Sequence, residues 1–465
     1  MNTAELLNEL KAILPAGGLL YGAALRDRYC HIWKMDEPLQ AVAVALPKTT
    51  EELSKILALC HHADQPISIH GGLTNLVGGT ETLKEELVIS LEKMNEIEEL
   101  DTQSRTMTVQ SGVILEEIQN ISKENQLFFP LNFGAKGSAQ IGGIISTNAG
   151  GLRVLRYGMT RNLILGLEAV LMDGTIVSSM KKIIKDNSGY DLKQLFVGSE
   201  GTLGVVTKAV LKLQELPTSR TSAMASVASY EQVLKLLKHM DAGMGGRLSG
   251  FELMWNSFYS MATTPPAMMK PPIAQDAPYY VLIEGLGNNL EAEKASLEIL
   301  LHQALEQELV LDAVMADTQS DLDWFWKIRE DVHAITSQFA IDQHFDISLP
   351  LPLIGETLEN IQAELRVLEG VKRFVVFGHV ADGNIHLIID KTNASPDLTS
   401  AINDIVYGPL KSIGGSVSAE HGIGVHKKAY LPLCRTEEEI SLMRLLKKSL
   451  DPKNLLNRGR IIDVE

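Results

Sequence analysis

Short apolar runs, broken by glycine, proline and small polar clusters, set the rhythm of the first 215 residues. Residues 42–46 are continuously apolar and end at Pro47, the pattern of a buried strand. A helix is predicted from Thr50 to about Cys60, with Thr49 or Thr50 as N-cap. Residues 66–70 form the next strand and run into a glycine loop. Strand, helix, strand and glycine turn together predict mixed α/β layering. Further strands are expected at 87–91, 106–109, 166–171 and 204–207. Asp173-Gly174 between two apolar runs signals a hairpin.

The texture changes near residue 215. Residues 219–229 are rich in Ser, Thr and Ala, and Pro265, Pro266, Pro271 and Pro272 bracket a loop. A strand is expected at 279–284, a long helix at 291–308, and an amphipathic helix at 437–450 closed by Asp451-Pro452. These breaks predict domains at 1–215 and 216–395, followed by a helical segment at 396–465 that packs back on the first domain. No repeat of 20–50 residues is present.

Composition narrows the function classes. At 465 residues the chain exceeds a usual single domain. Its formal net charge of -16 argues against nucleic acid and against anionic membrane surfaces. A small anionic substrate stays compatible, because a few local cations outweigh distant charge. Cys30, Cys60 and Cys434 show no metal or redox spacing, so reduced, buried thiols are expected. The first residues lack a basic and then apolar leader, and no stretch of about 18 apolar residues occurs, so a cytoplasmic protein without a membrane span is expected.

Three glycine-rich segments carry candidate chemistry. Residues 70–79 (HGGLTNLVGG) follow a strand, residues 134–151 (GAKGSAQIGGIISTNAGG) hold Lys136 as their only charge, and residues 198–204 (GSEGTLG) precede another strand. Glycine lets backbone turn at positive φ and approach a ligand closely, and successive N–H groups in such turns favour a pyrophosphate. Neither a Walker loop nor a Gly-x-Gly-x-x-Gly fingerprint is present. Three such segments suit an extended cofactor lying along one domain.

Farther on, apolar strands at 373–377 and 385–389 flank Asp382-Gly383, a hairpin turn. If these two are the turn residues, His379 faces His386 and both imidazoles share one sheet face. Glu420 would supply a carboxylate, and two His plus one carboxylate is an open, catalytic zinc pattern; iron or manganese suits the same ligands.

The stretch from Gly134 to Arg153, continued by Arg156-Tyr157-Gly158, Asp173-Gly174-Thr175, residues 186–192 and 198–202, together with residues 378–386 and 418–424, resembles the FAD-binding flavoproteins of the vanillyl-alcohol-oxidase type. Within them it is most similar to the D-2-hydroxyacid dehydrogenases, the 2-hydroxyglutarate-oxidising group in particular. The resemblance runs from about residue 40 to the C-terminus. It implies an α+β protein with a PCMH-type FAD domain, a cap domain built on an antiparallel sheet, and a C-terminal helical segment. It implies non-covalent FAD held by Gly71, Gly72, Leu73, Thr74, Asn75, Leu76, Pro130, Ala135, Gly137, Ser138, Gly142, Gly143, Ser146, Asn148, Gly150, Gly151, Glu200, Gly201, Gly204, Val206 and Asn457. His70 precedes the glycine pair, where a structural or pyrophosphate-side role suits it better than flavin attachment. His379, His386 and Glu420 would hold a divalent metal, usually zinc, with His421 as base and Arg329 on the substrate carboxylate.

Two positions depart from the 2-hydroxyglutarate pattern. His333 and His344 stand where that group has a Thr and a Lys on the distal carboxylate, so these two become candidate substrate contacts of altered specificity. Ile388 replaces a polar residue, and Arg458 and Arg460 replace a Pro and a Lys near the C-terminus. The leading expectation is oxidation of a D-2-hydroxy acid, 2-hydroxyglutarate first, with electrons passing to an electron-transfer flavoprotein or a quinone. A D-lactate or glycolate-type dehydrogenase, a non-catalytic flavin-binding subunit and a zinc hydrolase are the rival readings. A homodimer is the base-rate expectation.

Overall fold

The computed structural model describes residues 1–26, 28, 39–267 and 270–464. Cys30 lies outside the described residues. The chain divides into two compact units, one of Met1–Gly151, Gly158–Leu216 and Glu420–Glu465, the other of Leu152–Tyr157 and Pro217–Ala419.

The first unit holds two main sheets. In the first, strands Ala43–Ala45, Leu87–Ser90 and Ile67–His70 pair in parallel, with Leu19–Leu20 antiparallel at the edge. The strands at 43–45 and 87–90 are wholly buried, which is why they read as unbroken apolar runs. Helix Thr50–His62 starts where Thr49 accepts the Glu52 N–H at 3.2 Å, and buries Leu53, Ile56, Leu57 and Cys60. The second sheet is antiparallel, in the order Ile97–Asp101, Thr106–Gln110, Val205–Lys212, Ile164–Val170 and Ile176–Ser179. Its last pair is the hairpin expected at Asp173-Gly174, with Gly174 at φ 88°.

The second unit is built on a seven-stranded antiparallel sheet: Asp312–Met315, Ser219–Val227, Tyr279–Gly287, Leu248–Trp255, Val371–Gly378, Asn384–Lys391 and Asp342–Ser348. The Ser, Thr and Ala-rich texture after 219 is therefore a strand; its small residues lie between two neighbours and are buried from Thr221 to Val227. Leu248–Trp255 and Tyr279–Gly287 are buried at every residue. Helix Gln319–Glu330 covers one face, where Phe325, Trp326 and Ile328 pack with Met254, Phe377 and Ile388.

The expected break at residue 395 is corrected. Helix Pro396–Tyr407 belongs to the second unit, because its buried Leu398, Ile402 and Val406 find their partners there and Tyr407 meets Phe345 at 5.2 Å between ring centroids. Only the chain from Glu420 onward, with helix Glu437–Leu450, returns to the first unit.

Candidate functional site

In the first unit the glycine segments lie against one another. A Cβ on Gly72 would stand 2.0 Å from the Ser138 carbonyl oxygen, and one on Gly142 would stand 2.6 Å from the Ser111 Cβ. The loop after strand Ile67–His70 carries Gly71, Gly72, Leu73, Thr74, Asn75 and Leu76, with Leu73 in the left-handed region at φ 56°. Ala135, Gly137 and Ser138 precede helix Ile141–Thr147, which presents Gly142, Gly143 and Ser146 and ends at Asn148 in the left-handed conformation. At Gly143 a Cβ would meet nothing within 4 Å. Gln140 Oε1 and Ser111 Oγ are buried beside this segment without a hydrogen-bond partner among the described residues, as are His70 Nε2 and Thr80 Oγ1. Open glycine backbone next to orphaned buried polar atoms fits a cofactor that supplies the missing partners.

Several predicted FAD contacts already spend their side chains on the scaffold. Asn75 Oδ1 accepts the N–H groups of Val77 at 2.9 Å and Gly79 at 2.7 Å. The Asn457 amide accepts from Ile69 N–H and donates to the Glu200 carbonyl, both at 2.8 Å. The Glu200 carboxylate accepts the N–H of Ile423 at 2.7 Å and of Gly424 at 2.8 Å, so it grips the turn just after His421. Burial pushes its carboxyl pKa up. Gly150, Gly151, Gly201 and Gly204 are likewise close-packed, and a Cβ on Gly150 would lie 2.6 Å from Glu420 Oε1. Pro130 follows the short strand Leu127–Phe128, and Val206 sits buried in strand Val205–Lys212.

His70 is 3% exposed, and burial pulls its pKa down to about 4. Arg460, one of the two arginines that depart from the family pattern near the C-terminus, is buried and donates to Ser68 Oγ at 3.2 Å and to the carbonyls of Gly79 and Glu81. It ties the end of the glycine loop to strand Ile67–His70. Cys60 is buried, with its thiol pKa pushed up to about 12, whereas Cys434 is half-buried, against the expectation of burial, because it sits at the end of a short surface turn.

The second unit holds the histidine pair. The expected two-residue turn is corrected: the strands end at Gly378 and resume at Asn384, joined by a loop that contains a single 3-10 turn, Val380–Asp382. His386 therefore faces Phe377 rather than His379. The cause is the close approach at Gly378, where a Cβ would stand 2.2 Å from the Asn384 carbonyl oxygen, together with Gly383 at φ 85°. Alternation still puts residues 377 and 379 on one face. The two imidazoles meet diagonally, with centroids 5.5 Å apart and planes at 87°.

The same face carries more. Register places Met254 opposite Phe377, and Asp346 opposite His386. Glu252, two residues before Met254, thus points the same way, and its Oε1 lies 2.7 Å from His379 Nδ1. Its Oε2 lies 2.8 Å from Arg329 Nη2, an ion pair whose N–H directions are not aligned. Arg329 is 4% exposed, with its guanidinium 4.6 Å from the centroid of Phe377, and its Nε–H and Nη2–H have no aligned acceptor. Phe377 in turn lies 5.1 Å from His386. Asp346 is fully buried and accepts from Asn384 Nδ2 at 3.1 Å and Ser418 Oγ at 3.2 Å, with His386 Nδ1 at 4.0 Å. Burial raises the Asp382 carboxyl to about 6. His344 shares this face two positions along and binds Asp342 Oδ2 at 2.7 Å, while His333 is exposed on helix Val332–Thr336.

Glu252 was missed by sequence reasoning, although a signal existed: it is the one charge in residues 248–255, an otherwise uncharged, fully buried strand. Glu284, isolated in strand Tyr279–Gly287 and paired with Arg153 at 3.0 Å and Arg220 at 2.6 Å, carries the same signal.

Residues 41–179 match the family profile of the FAD binding domain, and residues 216–461 that of FAD linked oxidases, C-terminal domain. A D-2-hydroxyglutarate dehydrogenase of Danio rerio, mitochondrial by name, is 37% identical over 98% of this chain and 84% of its own. A D-2-hydroxyglutarate dehydrogenase of Stutzerimonas stutzeri is 32% identical over 99% of both chains. A provisionally named mitochondrial D-lactate dehydrogenase of Schizosaccharomyces pombe is 38% identical over 88% of this chain and 80% of its own. Among solved structures, alkyldihydroxyacetonephosphate synthase (TM-score 0.76, 15% identity, 98% of this chain and 86% of that one) and p-cresol methylhydroxylase (TM-score 0.73, 15% identity, 99% and 97%) share the fold. The cytoplasmic expectation is overturned by the mitochondrial names of the Danio rerio and Schizosaccharomyces pombe relatives; a missing leader pattern was a weak ground for it.

Proposed function

Because the chain is an FAD-dependent oxidoreductase of the FAD-linked oxidase family, we propose that it oxidises a D-2-hydroxy acid to the 2-oxo acid, with His379, His386 and Glu420 as metal ligands. The observation that carries this reading is the constellation around Phe377: two imidazoles and a buried guanidinium on one sheet face, the guanidinium with N–H groups to spare. Glu252 already meets the charge of Arg329, but the Nε–H and Nη2–H without an aligned acceptor can still donate to a substrate carboxylate. Paired imidazoles suit a divalent ion of borderline softness. A divalent metal at His379, His386 and Glu420 would supply the acidity that lowers a hydroxyl pKa, and FAD in the glycine cradle would supply a hydride acceptor.

The remaining work falls to the chain. Arg329 holds the C1 carboxylate and fixes which face of C2 is presented. His421 takes the hydroxyl proton. The Glu200 carboxylate keeps the backbone after His421 in place through its two N–H contacts. Gly71, Gly72, Gly143 and their neighbours hold FAD through backbone, without a covalent bond.

2-Hydroxyglutarate heads the substrates. One observation favours a smaller acid such as D-lactate: His344, where a distal carboxylate would need a cation, is bound to the Asp342 carboxylate. Anaerobic mixing with D- and L-2-hydroxyglutarate, lactate, malate and glycolate tests both. One D-acid is expected to bleach the flavin, and bleaching is expected to be lost after chelation and in His421→Ala. Bleaching by an L-acid, or full bleaching after complete metal removal, would refute the proposal.

A further inference from the structure

We propose that Glu252 is a positioning residue that sets the tautomer of His379 and the pose of Arg329, so that one buried carboxylate prepares both the metal-binding imidazole and the substrate-binding cation. The inference rests on the function proposed above and deepens it.

The geometry is closed on both sides of the carboxylate. The Glu252 side chain is 1% exposed, and its two oxygens divide their contacts, Oε1 with His379 at 2.7 Å and Oε2 with Arg329 at 2.8 Å. An ionised carboxylate only accepts, so the nitrogen facing it must carry the proton. In a neutral ring that makes His379 the Nδ1–H tautomer and places the lone pair on Nε2, the atom a metal needs. The ring cannot rotate away without leaving a buried charge half-satisfied, which is costly.

Arg329 is held by the same anchor from the other side. Its Nη2 stays beside Oε2 and its plane stays over Phe377, while Nε–H and Nη2–H remain without an aligned acceptor. A simple structural ion pair would be expected to use those N–H groups in line. Here the carboxylate neutralises the cation through Nη2 at 2.8 Å and leaves Nε–H without an aligned acceptor.

The test uses full-length holoprotein with Glu252→Gln and Glu252→Met. Zinc affinity is measured by competition with a chromophoric chelator, and the His379 tautomer by imidazole 15N shifts of histidine-labelled, metal-stripped protein at mildly alkaline pH, assigned with His379→Gln. Wild type is expected to show Nδ1 protonated and Nε2 bare. Loss of an outer partner typically weakens metal binding about 10–100-fold. Glu252→Met is expected near the upper end, with KM for the acid raised as well. Glu252→Gln, whose amide oxygen still accepts from Nδ1–H, is expected to retain the tautomer and fall less. An Nε2–H tautomer in wild type, or zinc affinity in Glu252→Met within twofold of wild type, would overturn the inference. If Glu252→Met does not fold, the wild-type tautomer and Glu252→Gln decide. A wild-type protein that takes up no zinc defeats the metal reading instead, and the tautomer measurement still reports on Glu252.

Discussion

His70 offers a prediction whose size follows from burial. Its ring is 3% exposed, donates to the Thr80 backbone, and has a pKa pulled from 6.5 to about 4 by desolvation, with Arg460 and Arg28 adding to the fall. The unfolded chain takes up a proton near pH 6.5 that the folded chain refuses until about pH 4. His70 thus favours folding fully above 6.5, and that contribution is lost as pH drops toward 4. At pH 5 the loss is about 2 kcal/mol, and at the acid limit on the order of 3 kcal/mol, from about 1.4 kcal/mol per pKa unit. His70→Gln keeps a donor for Thr80 and removes the titration. Urea unfolding followed by flavin fluorescence, run on both proteins between pH 7 and pH 4.5, reads the effect. The variant is expected to start less stable at pH 7 and to close the gap by about 2 kcal/mol at pH 5. Parallel curves for the two proteins across this range would refute the argument, whatever their offset, because only the slope reports the histidine.

Two further perturbations test the frame around the site. Lys447 spends its three protons on the Thr202 carbonyl, the Leu456 carbonyl and Asp451 Oδ2, at 2.9, 2.7 and 2.6 Å, so Lys447→Met strands a buried carboxylate and is expected to cost about 3–5 kcal/mol in urea unfolding. A destabilisation below about 1 kcal/mol would contradict a buried ion pair. Gly150→Ala places a Cβ against the Glu420 carboxylate, and kcat/KM is expected to fall at least about tenfold while flavin content per chain holds, as read by steady-state kinetics and absorbance. Unchanged kcat/KM would mean that Glu420 has no fixed seat.

Periodicity and turn chemistry exposed most elements of both units, because strands such as Leu87–Ser90 are buried on both faces and helices such as Thr50–His62 carry plain caps. The hairpin at 379–386 shows where such reading stops. Asp-Gly invites a two-residue turn, but backbone crowding at Gly378 lengthens the loop and shifts the pairing by two residues. A shift of two preserves the face, which is why the histidines still meet. Roles within the cradle were harder to read. A polar residue in a glycine-rich loop motif can serve ligand or scaffold, and Asn75, Glu200 and Asn457 turn their side chains to backbone groups of their own unit. Lone acids inside apolar strands, Glu252 and Glu284, were the unread clue, since a carboxylate enters such a strand only with a cation or imidazole waiting for it.

The bond from Ile69 N–H to Asn457 joins residues 388 apart, and with it strand Ile67–His70 gains its parallel bridge from Ile67 to Leu456. At about 5–20 residues per second, a ribosome needs on the order of 20–80 s to travel from one partner to the other. For that interval strand Ile67–His70, paired with Leu87–Ser90 on one side, has its outer edge open, and the whole second unit is synthesised meanwhile. The nascent flavin unit therefore stays open at that edge until residues 456 and 457 have been made.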